Sequence, residues 1–139
     1  MTFTRETLAR MDPRYEFSRR YAYQVLDRNP RAEELSRCFA IDDHPIVAMG
    51  VMPLWDGVGS LWIVVDYRIR SFVRPVVRRI HESIQEAWGK GFHRLHAEVP
   101  VWVPESAHLM RFLGFHLEAK LEAYGSDKQD FYLFTQVRL

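Results

Sequence analysis

Between residues 72 and 88 apolar side chains return every three or four positions. Val73, Val76, Val77, Ile80, Ile84, Ala87 and Trp88 fall on one helical face, and Arg74, Arg78, Glu82, Gln85 and Glu86 on the other. This spacing predicts an amphipathic helix, closed by Gly89 and Gly91, which permit a left-handed cap. From Phe92 to Val99 the period drops to two. His93, Leu95, Ala97 and Val99 share one face; Phe92, Arg94, His96 and Glu98 share the other. The apolar run Leu61-Trp62-Ile63-Val64-Val65 comes before the helix. A strand at 61–66, the helix and a strand at 92–99 therefore make a right-handed parallel crossover. Upstream, residues 38–41 and 46–52 read as strands joined by the turn Asp42-Asp43-His44-Pro45, and residues 55–59 as a second turn. Downstream, Pro100 and Pro104 interrupt the chain before a helix at 105–113 that turns Leu109, Phe112 and Leu113 inward. Residues 115–123 and 130–137 form a closing hairpin around Tyr124-Gly125-Ser126-Asp127. The first third is helical by pattern. Tyr15 to Asp27 spaces Phe17, Tyr21, Val25 and Leu26 as an apolar stripe, and a short helical piece follows at 31–37.

With 139 residues and 47% hydrophobic side chains, one domain with a substantial core is expected, residues 1–30 being its Arg-rich helical segment. The net charge of +1 exerts no global pull on nucleic acid or membranes, and nucleic acid is not expected as a partner. No apolar run approaches the roughly 18 residues of a membrane span. Cys38 is the only cysteine, which excludes an intrachain disulfide and points to a reducing, cytoplasmic setting. The charge is unevenly spread. Arg5, Arg10, Arg14, Arg19, Arg20, Arg28, Arg31 and Arg37 crowd the first third, and Arg68, Arg70, Arg74, Arg78 and Arg79 form a second group. With Phe17, Tyr21 and Val25 packed on the domain, the N-terminal arginines would face an acidic partner, and residues 1–12 would be dispensable to the core.

The second group surrounds a strand-to-helix turn, Tyr67-Arg68-Ile69-Arg70-Ser71. Amides at a helix start favour negative charge, so a basic turn there suits a phosphate, and Ser71 is placed to cap the helix. His96 and Glu98 lie on one face of their strand and are the candidate proton acceptors. His93 and His96, three apart on a strand, point to opposite faces and make no metal pair. Cys38 reads as a small buried residue, and Trp102 as a side chain near the mouth of a cleft.

From Ala48 to Leu139 the order of elements resembles the GCN5-related N-acetyltransferase (GNAT) fold: meander, strand–turn–helix, strand, a helix ending Arg111-Phe112-Leu113-Gly114-Phe115, and a hairpin. The resemblance implies an α/β (α+β) fold with a mixed, mainly antiparallel sheet of about six strands flanked by helices. In that family the two parallel central strands splay, and acyl-coenzyme A lies in the gap with its pyrophosphate on the turn. Val65, Arg68, Arg70, Ser71, Phe72 and Arg74 are then the cofactor-binding residues, acetyl-CoA the cofactor and an amine the acceptor. The segments Leu61 to Asp66, Ser106 to Gly114 and Asp130 to Thr135 are similar to degenerate GNAT-like proteins of tailed phages, including internal virion proteins. That places the protein in a host cytoplasm or a virion. The chain departs from the family pattern at two places. The turn has no glycine, and Met110 stands where a tyrosine often acts as general acid. Two functions follow. One is an acyl-CoA-dependent N-acetyltransferase, weak or degenerate, with His96 and Glu98 as catalytic residues. The other is a catalytically silent phage protein acting in virion structure or assembly, or a binding module with protein partners or self-assembly.

Overall fold

The computed structural model describes residues 1–13 and 16–139, the side chains of Phe17 and Glu33 excepted. Arg14, Tyr15 and the Phe17 side chain, which the sequence assigns to the arginine cluster, helix start and apolar stripe, lie outside the described residues. Three N-terminal helices come first: α1 (Arg5–Arg10), α2 (Glu16–Arg28) and α3 (Ala32–Leu35). The strands are β1 (Ser36–Ile41), β2 (His44–Trp55), β3 (Val58–Val65), β4 (Arg94–Pro100), β5 (His116–Leu121) and β6 (Phe131–Val137). A 3-10 turn, Tyr67–Ser71, and helix α4 (Val73–Gly89) link β3 to β4, and α5 (Pro104–Phe112) links β4 to β5.

The strands form one sheet in the order β1-β2-β3-β4-β6-β5. All neighbours are antiparallel except β3 and β4. Antiparallel neighbours need only tight turns. Asp42 and Asp43, both at positive φ, turn β1 into β2, and Gly57, at φ 79°, turns β2 into β3. A Cβ on Gly57 would stand 2.2 Å from Nδ1 of His93, so the turn requires glycine for space as well as for φ. The parallel pair needs a crossover, which α4 supplies.

Alternation along each strand sends apolar side chains to both sheet faces. Leu61, Leu95, Ala97, Val99 and Phe134 meet Val76, Ile80 and Ile84 of α4 and Ala107 and Met110 of α5. On the opposite face Ala48, Trp62 and Val64 meet Leu8 and Met11 of the α1 region and Ala22 and Val25 of α2. Phe3 packs on Trp62, with ring centroids 5.0 Å apart. Cys38 is buried here as expected, and burial pushes its thiol pKa up.

The helical faces are shifted at their ends. Val73 is 50% exposed and Phe112 75% exposed, although both fit the apolar stripes of their helices. Each is a terminal residue of its helix, and Val103 and Ala107 are buried at the start of α5 instead. The N-terminal arm also differs from expectation. Phe3, Leu8 and Met11 are buried, so the first residues are a structural layer of the sheet and not a removable tail.

Candidate functional site

The pairing of β3 with β4 is short. It consists of Val58↔Arg94, Gly59↔Leu95 and Ser60↔His96. Beyond Ser60 the outer edge of β3 remains on β2, through Val65↔Val47, and that of β4 remains on β6, through Pro100↔Phe131. Among the described residues the inner edges from Leu61 to Val65 and from Ala97 to Pro100 have no strand partner. This is the expected splay toward the C-terminal ends. Backbone donors and acceptors at the centre of a sheet are normally paired, so the fork is a place for a ligand that carries amide groups.

The turn at the top of β3 is held by Asp66. Its side chain is 0% exposed. It accepts from the backbone amides of Asp12 (2.7 Å) and Arg68 (2.9 Å), and from Nε and Nη2 of Arg68, both at 2.8 Å. Burial by itself raises the Asp66 pKa, but the Arg68 hydrogen bonds, the two amides and the Arg68 charge outweigh it and hold the carboxyl below its usual range. Tyr67 N–H donates to the Asp12 carbonyl at 3.0 Å, tying the N-terminal layer to the same turn.

This bonding decides what the turn can offer an anion. The Arg68 amide points to Asp66 Oδ1, the Ile69 amide to the Asp66 carbonyl at 3.0 Å, and the Phe72 amide to the Ile69 carbonyl at 2.8 Å. The Arg68 guanidinium is half-buried against Asp66. Arg70 and Arg74 are exposed and form no ion pair among the described residues. Phe72, not Ser71, is the helix N-cap, and α4 has no side-chain cap. Phe72 turns inward onto the core, as does Val65 at the end of β3. Pro75 is the third residue of α4, where a missing N–H breaks no helical bond. The amides of Val73 and Arg74, with the side chains of Arg70 and Arg74, are thus the groups suited to a phosphate. The fork edge thus offers backbone groups, and the turn offers two exposed guanidinium groups beside the start of α4.

His96 and Glu98 lie on the α2 side of the sheet and have different surroundings. Arg94 Nε donates to His96 Nε2 at 2.7 Å, and Arg94 also pairs with Glu118 at 2.6 Å. The Arg94 hydrogen bond holds the Glu118 carboxyl below its usual range. The Nε2 lone pair of His96 is therefore engaged. Glu98 Oε2 accepts from the hydroxyl of buried Ser60 at 3.1 Å, and Ser60 Oγ accepts from the Tyr21 hydroxyl at the long limit of 3.5 Å. Ser60 is the last residue of β3 paired with β4, so Glu98 stands at the fork itself. Tyr124, in the β5–β6 connection, lies within electrostatic range of the same carboxylate. Burial raises the pKa of both phenols, and the Glu98 charge raises them further.

The sequence singled out His96 and Glu98 but missed Ser60, Tyr21 and Tyr124 as their neighbours. Ser60, a polar residue at the head of an apolar strand, was the available signal. Tyr21 fitted the packing stripe of α2 and nothing local distinguished it. Met110 is buried in the α5 core, as its side chain suggests, and supplies no acid. Trp102 is half exposed beside a hollow shared with Lys128 and Asp130. Among the described residues no helix is long and apolar enough to cross a membrane.

No protein-family model matches the chain, and no curated protein sequence matches it. Solved structures do. Ard1 from Thermoplasma volcanium superposes with a TM-score of 0.80 at 15% identity, covering 100% of this chain and 96% of that one. The ribosomal-protein-alanine N-acetyltransferase of Brucella melitensis gives 0.70 at 17% identity, covering 86% of this chain and 78% of that one. A GNAT family acetyltransferase from Elizabethkingia anophelis, solved with acetyl-CoA bound, gives 0.65 at 13% identity, over 73% and 74% of the two chains. At such identities the likeness is one of fold. The finer similarity to phage virion proteins rests on the sequence segments alone. A splayed parallel pair in a six-stranded mixed sheet, crossed by α4 and closed by a hairpin, is the GNAT acetyltransferase fold, and this chain has it.

Proposed function

We propose that the protein transfers an acyl group from acyl-CoA, acetyl-CoA in the first instance, to an amine. The observation that carries this reading is the fork. Two central strands part immediately after Ser60 and His96, leaving backbone edges without partners and a carboxylate, Glu98, beside them. When bound, acetyl-CoA supplies the thioester carbonyl that an amine attacks directly. The inner edge of β3 from Leu61 to Val65 would hold the amide-bearing arm, with Val65 contributing through its backbone. Arg70 and Arg74 would hold the phosphates, Ser71 and Phe72 would shape the turn, and Arg68 would act through Asp66. Glu98 takes the proton from the attacking amine. His96, bonded by Arg94, is a positioning residue in the wall of the site.

A second reading is a silent GNAT-fold domain that binds protein partners, as in virion assembly. It is favoured by the turn, where three amides are already bonded within the turn, and by Met110 in place of a proton donor. Titration with acetyl-CoA followed by thermal unfolding separates the two. At 100 times its dissociation constant a ligand stabilises by about 2.7 kcal/mol. Stabilisation, with thiol release when a panel of amines is added, is the expected result. A melting temperature unmoved by millimolar acetyl-CoA would leave the silent domain.

A further inference from the structure

The turn after β3 and the start of α4 carry Arg68, Arg70 and Arg74, and the fold treats one of them differently. Arg70 and Arg74 are exposed and form no ion pair among the described residues. Arg68 is turned back onto Asp66, whose side chain has no solvent exposure, while the Arg68 side chain keeps 30% of its own. Each carboxylate oxygen of Asp66 accepts one backbone amide and one guanidinium N–H. Oδ1 takes the Arg68 amide at 2.9 Å and Nε at 2.8 Å; Oδ2 takes the Asp12 amide at 2.7 Å and Nη2 at 2.8 Å. Backbone amides and a guanidinium fork are the donor set that holds a phosphate. In this turn the chain's own carboxylate occupies that set.

The same carboxylate holds a second segment in place. The Asp12 amide donates to it, the Asp12 carbonyl accepts from Tyr67 N–H at 3.0 Å, and Pro13 forms an antiparallel bridge with Asp66. Met11, just before them, is buried in the N-terminal layer, and its carbonyl accepts from Arg19 at 2.9 Å. Asp66 therefore serves both the arginine of the turn and the strip of chain that lies against it. A carboxylate withdrawn from water is costly once its cation leaves, because the charge is then uncompensated in a low-dielectric setting. Departure of Arg68 favours exposure of Asp66 to water, and the strip at Asp12 and Pro13 stands in the way.

The geometry points to Asp66 as a built-in competitor at the turn: it withholds Arg68 from phosphate, and a phosphate group that draws Arg68 away loosens Asp12 and Pro13 in the same step. The inference rests on the proposed phosphate contacts of Arg70 and Arg74 and names how that site is regulated. Occupancy of the turn and docking of the N-terminal strip oppose one another. By linkage, a partner that lifts the strip strengthens phosphate binding, and phosphate binding eases the lifting.

The test needs no acyl donor. The full chain is titrated with inorganic pyrophosphate near neutral pH, at an ionic strength held constant with sodium chloride. NMR follows the arginine Nε–H resonances and the hydrogen exchange of the Asp12 and Tyr67 amides. Saturable shifts at Arg68 as well as at Arg70 and Arg74, with faster exchange of both amides, are expected. Asp66→Asn nearly keeps the shape and removes the charge, so it should bind pyrophosphate about tenfold more tightly than the wild type. Adding Arg68→Ala to it should cancel the gain. Affinity in Asp66→Asn no higher than in the wild type, a gain that survives in the double variant, or amide exchange unmoved or slowed by pyrophosphate would overturn the inference. If Asp66→Asn does not fold, the wild-type resonances decide, and an Arg68 Nε–H that pyrophosphate leaves unshifted counts against it. Tighter pyrophosphate binding by Asp66→Asn, with no acetyl-CoA binding by either protein, would keep the competitor and remove the enzyme. Acetyl-CoA binding of equal strength in the wild type and Asp66→Asn would do the reverse.

Discussion

Asp66 and Glu98 are both carboxylates near the ends of central strands, and the fold treats them in opposite ways. Asp66 has no solvent exposure, two amide donors and both forks of the Arg68 guanidinium. Its bonds join β3, the 3-10 turn and the connection after α1, so its charge is consumed by structure. Glu98 has a single hydroxyl donor and no described cation. The contrast shows how burial and chemistry separate: a fully satisfied acid is a latch, and an under-satisfied one at a fork is available to a ligand.

The largest effect expected from breaking this contrast is on turnover. Glu98→Gln keeps the Ser60 hydrogen bond but removes the proton acceptor, so acyl transfer should fall about 10²–10⁴-fold. Steady-state thiol release measures it, with thermal unfolding unchanged. Turnover that persists in Glu98→Gln would assign the base elsewhere.

Asp66→Ala should instead act on stability. It leaves the Arg68 guanidinium and the amides of Asp12 and Arg68 without their acceptor, and loss of such an acceptor costs about 1–3 kcal/mol. Denaturant unfolding reads this directly. The pH dependence has a defined sign. Because the folded-state pKa of Asp66 is depressed, its contribution is complete above the unfolded-state value and is lost as pH falls through the folded-state value. The stability lost by wild type on acidification should therefore be smaller in the variant. Parallel acid profiles would show that Asp66 is not the latch.

The smallest effect sharpens the division among the arginines of the turn. Arg70→Ala and Arg74→Ala should each weaken acetyl-CoA binding by roughly tenfold, since charge-assisted contacts contribute about 1.5–3 kcal/mol, and should leave the melting temperature unchanged. Arg68→Ala should lower the melting temperature as well, because its guanidinium serves Asp66. Calorimetric titration beside thermal scans distinguishes the two patterns. Equal behaviour of all three variants would dissolve the distinction.

Much of the architecture was legible along the chain. The 3.6-residue period of α4, the two-residue period of β4 and the turn residues Asp56-Gly57 are local signals, and local signals specify local backbone. They were enough to order the elements and to infer the parallel crossover, and the family resemblance carried by that order implied the fork. Helix ends were read less well. Val73 and Phe112 fit their apolar stripes but are exposed at the ends of their helices. Ser71 looked like a cap by position, yet a 3-10 turn moved the helix start past it.

What the tertiary structure alone decided is which side chains meet. Phe3, Leu8 and Met11 are scattered apolar residues in a polar, arginine-rich stretch, and only the sheet face that carries Trp62 and Val64 gives them a place to pack. Asp12 and Asp66 are 54 residues apart, and their bond exists only because the chain after α1 runs beside the end of β3, where Pro13 bridges to Asp66. Tyr21, Ser60, Glu98 and Tyr124 come from four separate elements. The sequence alone determined the period of each element and the residue types on its faces, because those depend on neighbours in the chain. The surroundings of Glu98, and hence its unmatched charge, depend on contacts between distant segments, which no local pattern encodes.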